Sequence, residues 1–176
     1  MVVRPATSDR WPDVAALLGR DGDRGCWCQA WRGTPRALGR PPDEPRPETL
    51  RWQLAAASVP PGFIAYLDGA PVGWCGATRA DAPRLRDSRT ICAIDEAPVW
   101  AIGCFRVVPG FRRQGVARAL LAGVVEAARA AGSPGVEAYP VDPAGRRIDA
   151  TFAYVGLASM FDAAGFRRVA LTDGHA

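Results

Sequence analysis

The chain contains no lysine: all 22 of its basic residues are arginine, set against 18 acidic ones. It has a single histidine, His175, next to the C-terminal residue. A zinc site of the Cys/His type therefore lacks its second ligand pair, and a cysteine or serine nucleophile lacks a nearby histidine base. No metal is expected. No apolar run reaches the roughly 18 residues of a membrane span. The N-terminus lacks the apolar core of a signal peptide, so a cytoplasmic location without a membrane partner is expected. The five cysteines, at 26, 28, 75, 92 and 104, are an odd number and form no disulfide framework. Cys75 and Cys104 fall in apolar, strand-like runs and read as packing residues. The net charge of +4 is spread along the chain, without the concentrated basic face that nucleic-acid binding needs.

What is present fits one globular domain over 1–176. With 48% hydrophobic and 23% charged residues, the composition is ordinary and the length suffices for a real core. Val2–Arg4 reads as an edge strand and Trp11–Leu18 as a helix, with Ser8 or Asp9 to cap it and Pro12 tolerated in its first turn. Residues 19–47 carry too many prolines and glycines for a long regular element. A helix is expected over Glu48–Ala57. Strands are expected at Phe63–Leu67 and Pro71–Thr78, hinged at Asp68-Gly69. Asp81–Arg89 reads as a polar loop and Trp100–Val108 as a central strand. Val116, Leu120, Val124 and Ala128 recur at helical spacing, widened by Leu121 and Val125, which predicts a helix over 116–130. A strand at Val136–Tyr139, a polar loop over 140–149, a helix over 151–164 closed by Gly165, and a strand at Phe166–Leu171 complete the order. That order predicts an α/β (mixed α+β) sheet covered by helices.

The most informative stretch is 104–121: a short apolar strand, a donor-rich turn and a helix that begins at once. Such a helix start presents unpaired N–H groups to an anion, and Gly115 lets a phosphate oxygen approach the backbone. Arg112-Arg113-Gln114-Gly115-Val116-Ala117 resembles the acetyl-CoA signature of the GCN5-related N-acetyltransferases (GNAT), Arg/Gln-x-x-Gly-x-Gly/Ala. Phe105–Pro109 is similar to the end of that family's fourth strand, and Gly165-Phe166 to the pair that closes its last helix. The likeness runs well over about 60–170 and poorly over the first 60 residues.

The resemblance implies a twisted mixed sheet whose central strands splay apart to admit acetyl-CoA. It implies direct acetyl transfer to an amine. Phe105, Arg106 and Val107 would line the thioester arm by their backbones. Gln114, Gly115, Val116, Ala117 and Arg118 would hold the pyrophosphate, with Arg112 and Arg113 assisting. Two family positions depart here. The tyrosine that many relatives use to protonate the leaving thiolate is Phe161, and the strand glutamate that serves as a base falls near Ala101. Tyr154, Ser159 and Tyr139 are the hydroxyl alternatives; Glu96 (with its neighbour Asp95) and Asp142 are the acidic ones.

Gly25–Gly33 holds Cys26, Trp27, Cys28 and Trp31. It reads either as a partly apolar acceptor wall, joined by Trp74, Trp100 and Tyr139, or as a packing knot. The expected function is an N-acetyltransferase for a primary amine of a small molecule. The alternatives are a protein or peptide acetyltransferase and a non-catalytic acyl-CoA-binding regulatory domain. A homodimer is a family expectation.

Overall fold

A computed structural model describes residues 1–88, 91, 95–145 and 153–169. Five strands form one sheet in the order β1-β2-β3-β4-β5. They are β1 (Val2–Pro5), β2 (Gly62–Leu67), β3 (Ala70–Arg79), β4 (Trp100–Val107) and β5 (Val136–Ala138). The first four are antiparallel neighbours, and β5 runs parallel to β4. The helices are α1 (Trp11–Leu18), α2 (Arg46–Ala56), α3 (Pro83–Arg86), α4 (Val116–Ala130) and α5 (Ala158–Asp162).

Alternation along the strands sorts the core into two layers, as a period of two requires. Phe63, Ala65, Cys75, Ala77 and Ile102 face Val116, Leu120, Leu121 and Val124 of α4, together with Phe161 of α5. On the opposite face Ile64 and Trp74 pack with Val14, Leu17 and Leu18 of α1 and Leu50 and Leu54 of α2. The apolar stripe read from the sequence of α4 is the stripe that is buried.

Two irregularities shape the middle of the sheet. Gly76 pairs with Cys104 but Ala77 pairs with Ile102, so Gly103 is an extra residue that bulges out of β4. Beyond the bulge, β5 no longer follows: its register with β4 covers Trp100–Ile102 alone among the described residues. The continuation of β5 turns to residues 156–158, where Val141 N–H donates to Gly156 and Ala158 N–H to Val141, at 3.0 and 2.9 Å. This exchange of partners splays β4 from β5 and leaves one edge of 103–107 without a strand partner among the described residues.

The C-terminal part departs from the sequence expectation. The described part of the helix expected over 151–164 is a 3-10 turn at Ala153–Val155 followed by α5, broken at Gly156, whose φ is +89°. A side chain at 156 would collide with Phe161, so glycine and its left-handed backbone are both needed. Phe166–Val169 forms no strand; residues 170 and 171, and 151 and 152, lie outside the described residues. Asp81–Arg89 contains the single turn α3, with Arg89 outside the described part.

Candidate active site

The open edge of β4 leads straight into the turn before α4. Pro109–Phe111 makes a 3-10 turn, Arg113 has φ +61°, and Gly115 caps α4 with φ +81°. A Cβ on Gly115 would meet nothing within 4 Å, so the space in front of the helix is open. Ala119 N–H makes a helical bond back to Gly115, which leaves the first-turn N–H groups of Val116, Ala117 and Arg118 for a ligand. Arg112 Nε reaches Val107 O at 3.4 Å and Gln114 Nε2 bonds Gly110 O at 3.0 Å, so both side chains brace the turn. Arg112, Arg113 and Arg118 are exposed around it. Open space, oriented donors and positive charge fit a pyrophosphate.

Phe105, Arg106 and Val107 occupy the open-edged half of β4. The Phe105 ring meets Phe161 edge-on at 6.2 Å, and Phe161 meets Phe166 at 5.2 Å. Phe161 is thus a core residue, without the hydroxyl that a proton donor requires. Arg106 turns to the other face and pairs with Asp21 at 3.3 Å.

Tyr154 sits in the 3-10 turn that packs against β4. It is 42% exposed. Burial raises its hydroxyl, the sulfurs of Cys104 and Cys26 add to this, and a hydrogen bond with the Trp31 side chain opposes it. Tyr154, Trp31 and Cys104, which precedes Phe105, are thereby drawn to one place. Trp31 lies against Gly103, where a Cβ would stand 3.1 Å from its ring. An open groove of about 560 Å³ runs beside Trp31, between Thr34 and Ala37 on one side and Pro83, Arg84 and Asp87 on the other.

Other candidates stand elsewhere. Ser159 is exposed on α5, and Glu96 is exposed ahead of β4. Asp142 forms an ion pair with Arg168, which also binds Asp162 at 2.7 Å. A backbone bond from Ala144 and then the Arg168 bond hold the Asp142 carboxyl below its ordinary range. That makes it a weak base and gives it a bridging role between two loops.

The tryptophans divide. Trp74 is wholly enclosed between sheet and α1, and Trp100 is 6% exposed beneath α4. Trp27 is 5% exposed, stacks on Trp11 at 5.7 Å and donates to Gly22 O at 2.9 Å. These three are corrected from acceptor wall to core, because none offers a face to a ligand. Cys28 is buried and Cys26 is exposed. Trp31 and Tyr139 remain half-buried at the groove side.

One acidic residue escaped the sequence reading. Glu137 on β5 is in register with Ala101 on β4, the position to which the resemblance assigns a base. Its Oε1 accepts a short hydrogen bond from Tyr139. Burial first, then this bond, pushes the Tyr139 hydroxyl far above its usual range, so Tyr139 acts as a fixed donor. Strand alternation over 136–139 was the signal that places both on the face shared with Ala101 and Trp31.

Among the described residues, no three His, Cys, Asp or Glu side chains cluster as metal ligands, and no helix is long and apolar enough to cross a membrane. No protein of curated function matches the sequence. Solved structures share the fold. The aminoglycoside 6'-N-acetyltransferase AAC(6')-IG of Acinetobacter haemolyticus is 17% identical over 100% of this chain and 97% of its own, with a TM-score of 0.53. The aminoglycoside N-acetyltransferase AAC(6')-Iy, solved with CoA, is 21% identical over 99% of this chain and 95% of its own, at 0.57. A putative acetyltransferase from Agrobacterium tumefaciens is 16% identical over 97% and 96%, also at 0.57. The model of the Acetyltransferase (GNAT) family matches residues 26–147, reaching further into the N-terminal part than the motifs did. With the splayed strands and the open-fronted helix in place, the chain belongs to the GNAT acetyltransferase family.

Proposed function

We propose that the protein transfers the acetyl group of acetyl-CoA to a primary amine of a small molecule. The observation that carries this reading is the open edge of β4 running into the unobstructed N-terminus of α4. That path suits a thioester arm ending in a pyrophosphate. Bound there, acetyl-CoA supplies an activated acyl group. The first-turn N–H groups of α4 hold the phosphates, and unpaired N–H groups along 103–107 receive the carbonyl oxygen as negative charge develops on it.

Proton handling falls to two side chains at the bulge. Glu137, with Tyr139 fixed against it, takes the proton from the incoming amine, directly or through water. Tyr154, beside Cys104, gives a proton to the leaving thiolate. Phe161 and Asp142 do neither, for the reasons above. The groove beside Trp31 is small and mixed in charge, with Arg84 and Asp87 together on one wall and the apolar Trp31 and Ala37 opposite. This favours a small, partly apolar amine over a strongly polycationic one. AAC(6')-Iy has also been solved with a bisubstrate analogue that joins CoA to acetylneamine, which keeps aminoglycosides in the test set.

Release of free thiol from acetyl-CoA across arylamines, amino acids, aminoglycosides, polyamines and short peptides, with product masses, tests the proposal. A product one acetyl heavier on one small-amine class supports it. Acetylation restricted to peptides, or no acetyl-CoA binding by folded protein, overturns it.

A further inference from the structure

Cys28 and Cys104 are 76 residues apart in sequence and 3.0 Å apart, sulfur to sulfur. Reaching that position is costly. Trp27 and Cys28 have φ of +45° and +58°, in a turn closed by Gln29 N–H to Cys26 O at 2.9 Å. Residues with side chains are strained in such central positions, where Asn-Gly is preferred. Across the sheet a Cβ on Gly76 would overlap the Cys28 sulfur and crowd that of Cys104. The fold thus reserves room for two touching sulfurs.

Their surroundings are those of an anion. Arg32 is 5% exposed. Its Nε donates to Cys28 O and its Nη2 to Ala77 O, both at 2.9 Å, and to Pro61 O. The same Nη2 stands 3.8 Å from the Cys28 sulfur. Among the described residues no carboxylate pairs with Arg32. A buried guanidinium without a counter-charge is strongly unfavourable; a thiolate on Cys28 supplies one. The buried Trp74 indole N–H has no oxygen or nitrogen partner among the described residues and is directed at the same sulfur. The Cys104 thiol is the remaining donor. Its bond to Cys28, ahead of the Arg32 charge, draws the Cys28 thiol down to about 6 in spite of burial. The Cys104 thiol is pushed up by the same bond.

We propose that Cys28 and Cys104 are a hydroperoxide-reactive pair, with Cys28 as the reacting thiolate and Cys104 as the resolving thiol. The Cys28 sulfur attacks one oxygen of hydrogen peroxide. An S–O bond forms, the O–O bond breaks, and hydroxide leaves to become water on taking a proton. The sulfur loses two electrons and the peroxide gains them, giving a sulfenic acid. The Cys104 sulfur then attacks Cys28, the S–S bond forms, the S–O bond breaks, and the Cys104 proton leaves in a second water. The motion required is small, from 3.0 Å to the roughly 2.05 Å of a disulfide. With Cys28 only 9% exposed, a small hydroperoxide gains access where a bulky disulfide oxidant does not. The product staples the turn at 26–29 to β4, one residue before Phe105. None of this depends on acetyl transfer.

Intact-protein mass after treatment with hydrogen peroxide tests the pair. The expected result is loss of two hydrogens, a cross-linked Cys28–Cys104 peptide, and reversal by dithiothreitol. Cys26→Ser should leave this unchanged. In Cys104→Ser, shown folded by circular dichroism, Cys28 should halt as a sulfenic acid and take up a 1,3-dicarbonyl probe. A cross-link through Cys26 or Cys92, no loss of hydrogens, or folded Cys104→Ser without probe on Cys28 would each overturn the proposal.

Discussion

Glu137 stands in register beside Ala101 on the adjoining parallel strand, and its carboxylate is held by Tyr139. A carboxylate absent from one strand is therefore present on the next. Glu137→Gln should lower kcat by about 100-fold, the low end for general acid–base catalysis, with acetyl-CoA affinity unchanged. Steady-state kinetics with calorimetric binding checks this. Equal kcat in the two proteins would remove Glu137 from the chemistry.

Tyr154→Phe keeps the ring against β4 and removes the hydroxyl near Trp31 and Cys104. Its kcat should fall by about 10-fold or more while acetyl-CoA binding stays within about 2-fold, since the loss is confined to the transition state. Comparable drops in both would make Tyr154 a packing residue.

Backbone should matter more than side chain at the anion site. Gly115→Val forces a β-branched residue into φ +81°, where residues other than glycine are strained. Acetyl-CoA affinity should drop at least about 10-fold. Arg112→Ala, an exposed side chain that bonds Val107 O, should cost less than about 1 kcal/mol of binding, as a screened surface charge does. Titration calorimetry on the two variants decides it, and the reverse ranking would show that the guanidinium is the anchor.

Arg32→Met retains much of the bulk but strands the Cys28 thiolate and three carbonyls. Breaking a buried charged pair from one side costs roughly 3–5 kcal/mol. Urea unfolding should show a loss of this order, and a change below about 1 kcal/mol would mean that Arg32 has no charged partner.

The same pair sets a pH dependence. Cys28 is drawn from an ordinary 9.0 to about 6, so folding favours its deprotonated form. Its contribution is complete above about pH 9, shrinks as pH falls, and is gone below about 6. Wild-type protein should therefore gain stability relative to Cys28→Ala between pH 6 and 9. Thiolate absorbance in the native state should titrate near 6; a midpoint near 9 would show Cys28 to be an ordinary thiol.

The helix α4 was legible because its burial comes from its own periodicity, Val116, Leu120 and Val124 all facing the sheet. The signature turn was legible because Gly115 and the arginines are local. The C-terminal helix was not, since it breaks at Gly156 with φ +89°, where a side chain would meet Phe161 and Phe105, and Phe105 comes from a strand distant in sequence. Arg32 was invisible among 22 arginines, because burial of a cation leaves no trace in spacing. For Trp27 and Trp74 the sequence leaves acceptor wall and packing knot both open, since it shows that an aromatic is present but not which side of a sheet it fills. Glu137 carries no local mark in the sequence, because its relation to Ala101 arises from parallel pairing across the sheet.

The parting of β4 from β5 has a cost outside binding. A half-strand with unpaired N–H and C=O groups in the middle of a sheet is a template onto which a foreign backbone can add. Here the exposed stretch is short, bounded by the bulge at Gly103 and by Pro109, whose ring nitrogen has no hydrogen to offer. A ligand lying along 103–107 closes the remainder. An acyl donor bound along this edge, as proposed, would do for this sheet what a sixth strand does for others and would leave no bare edge for a foreign backbone to extend.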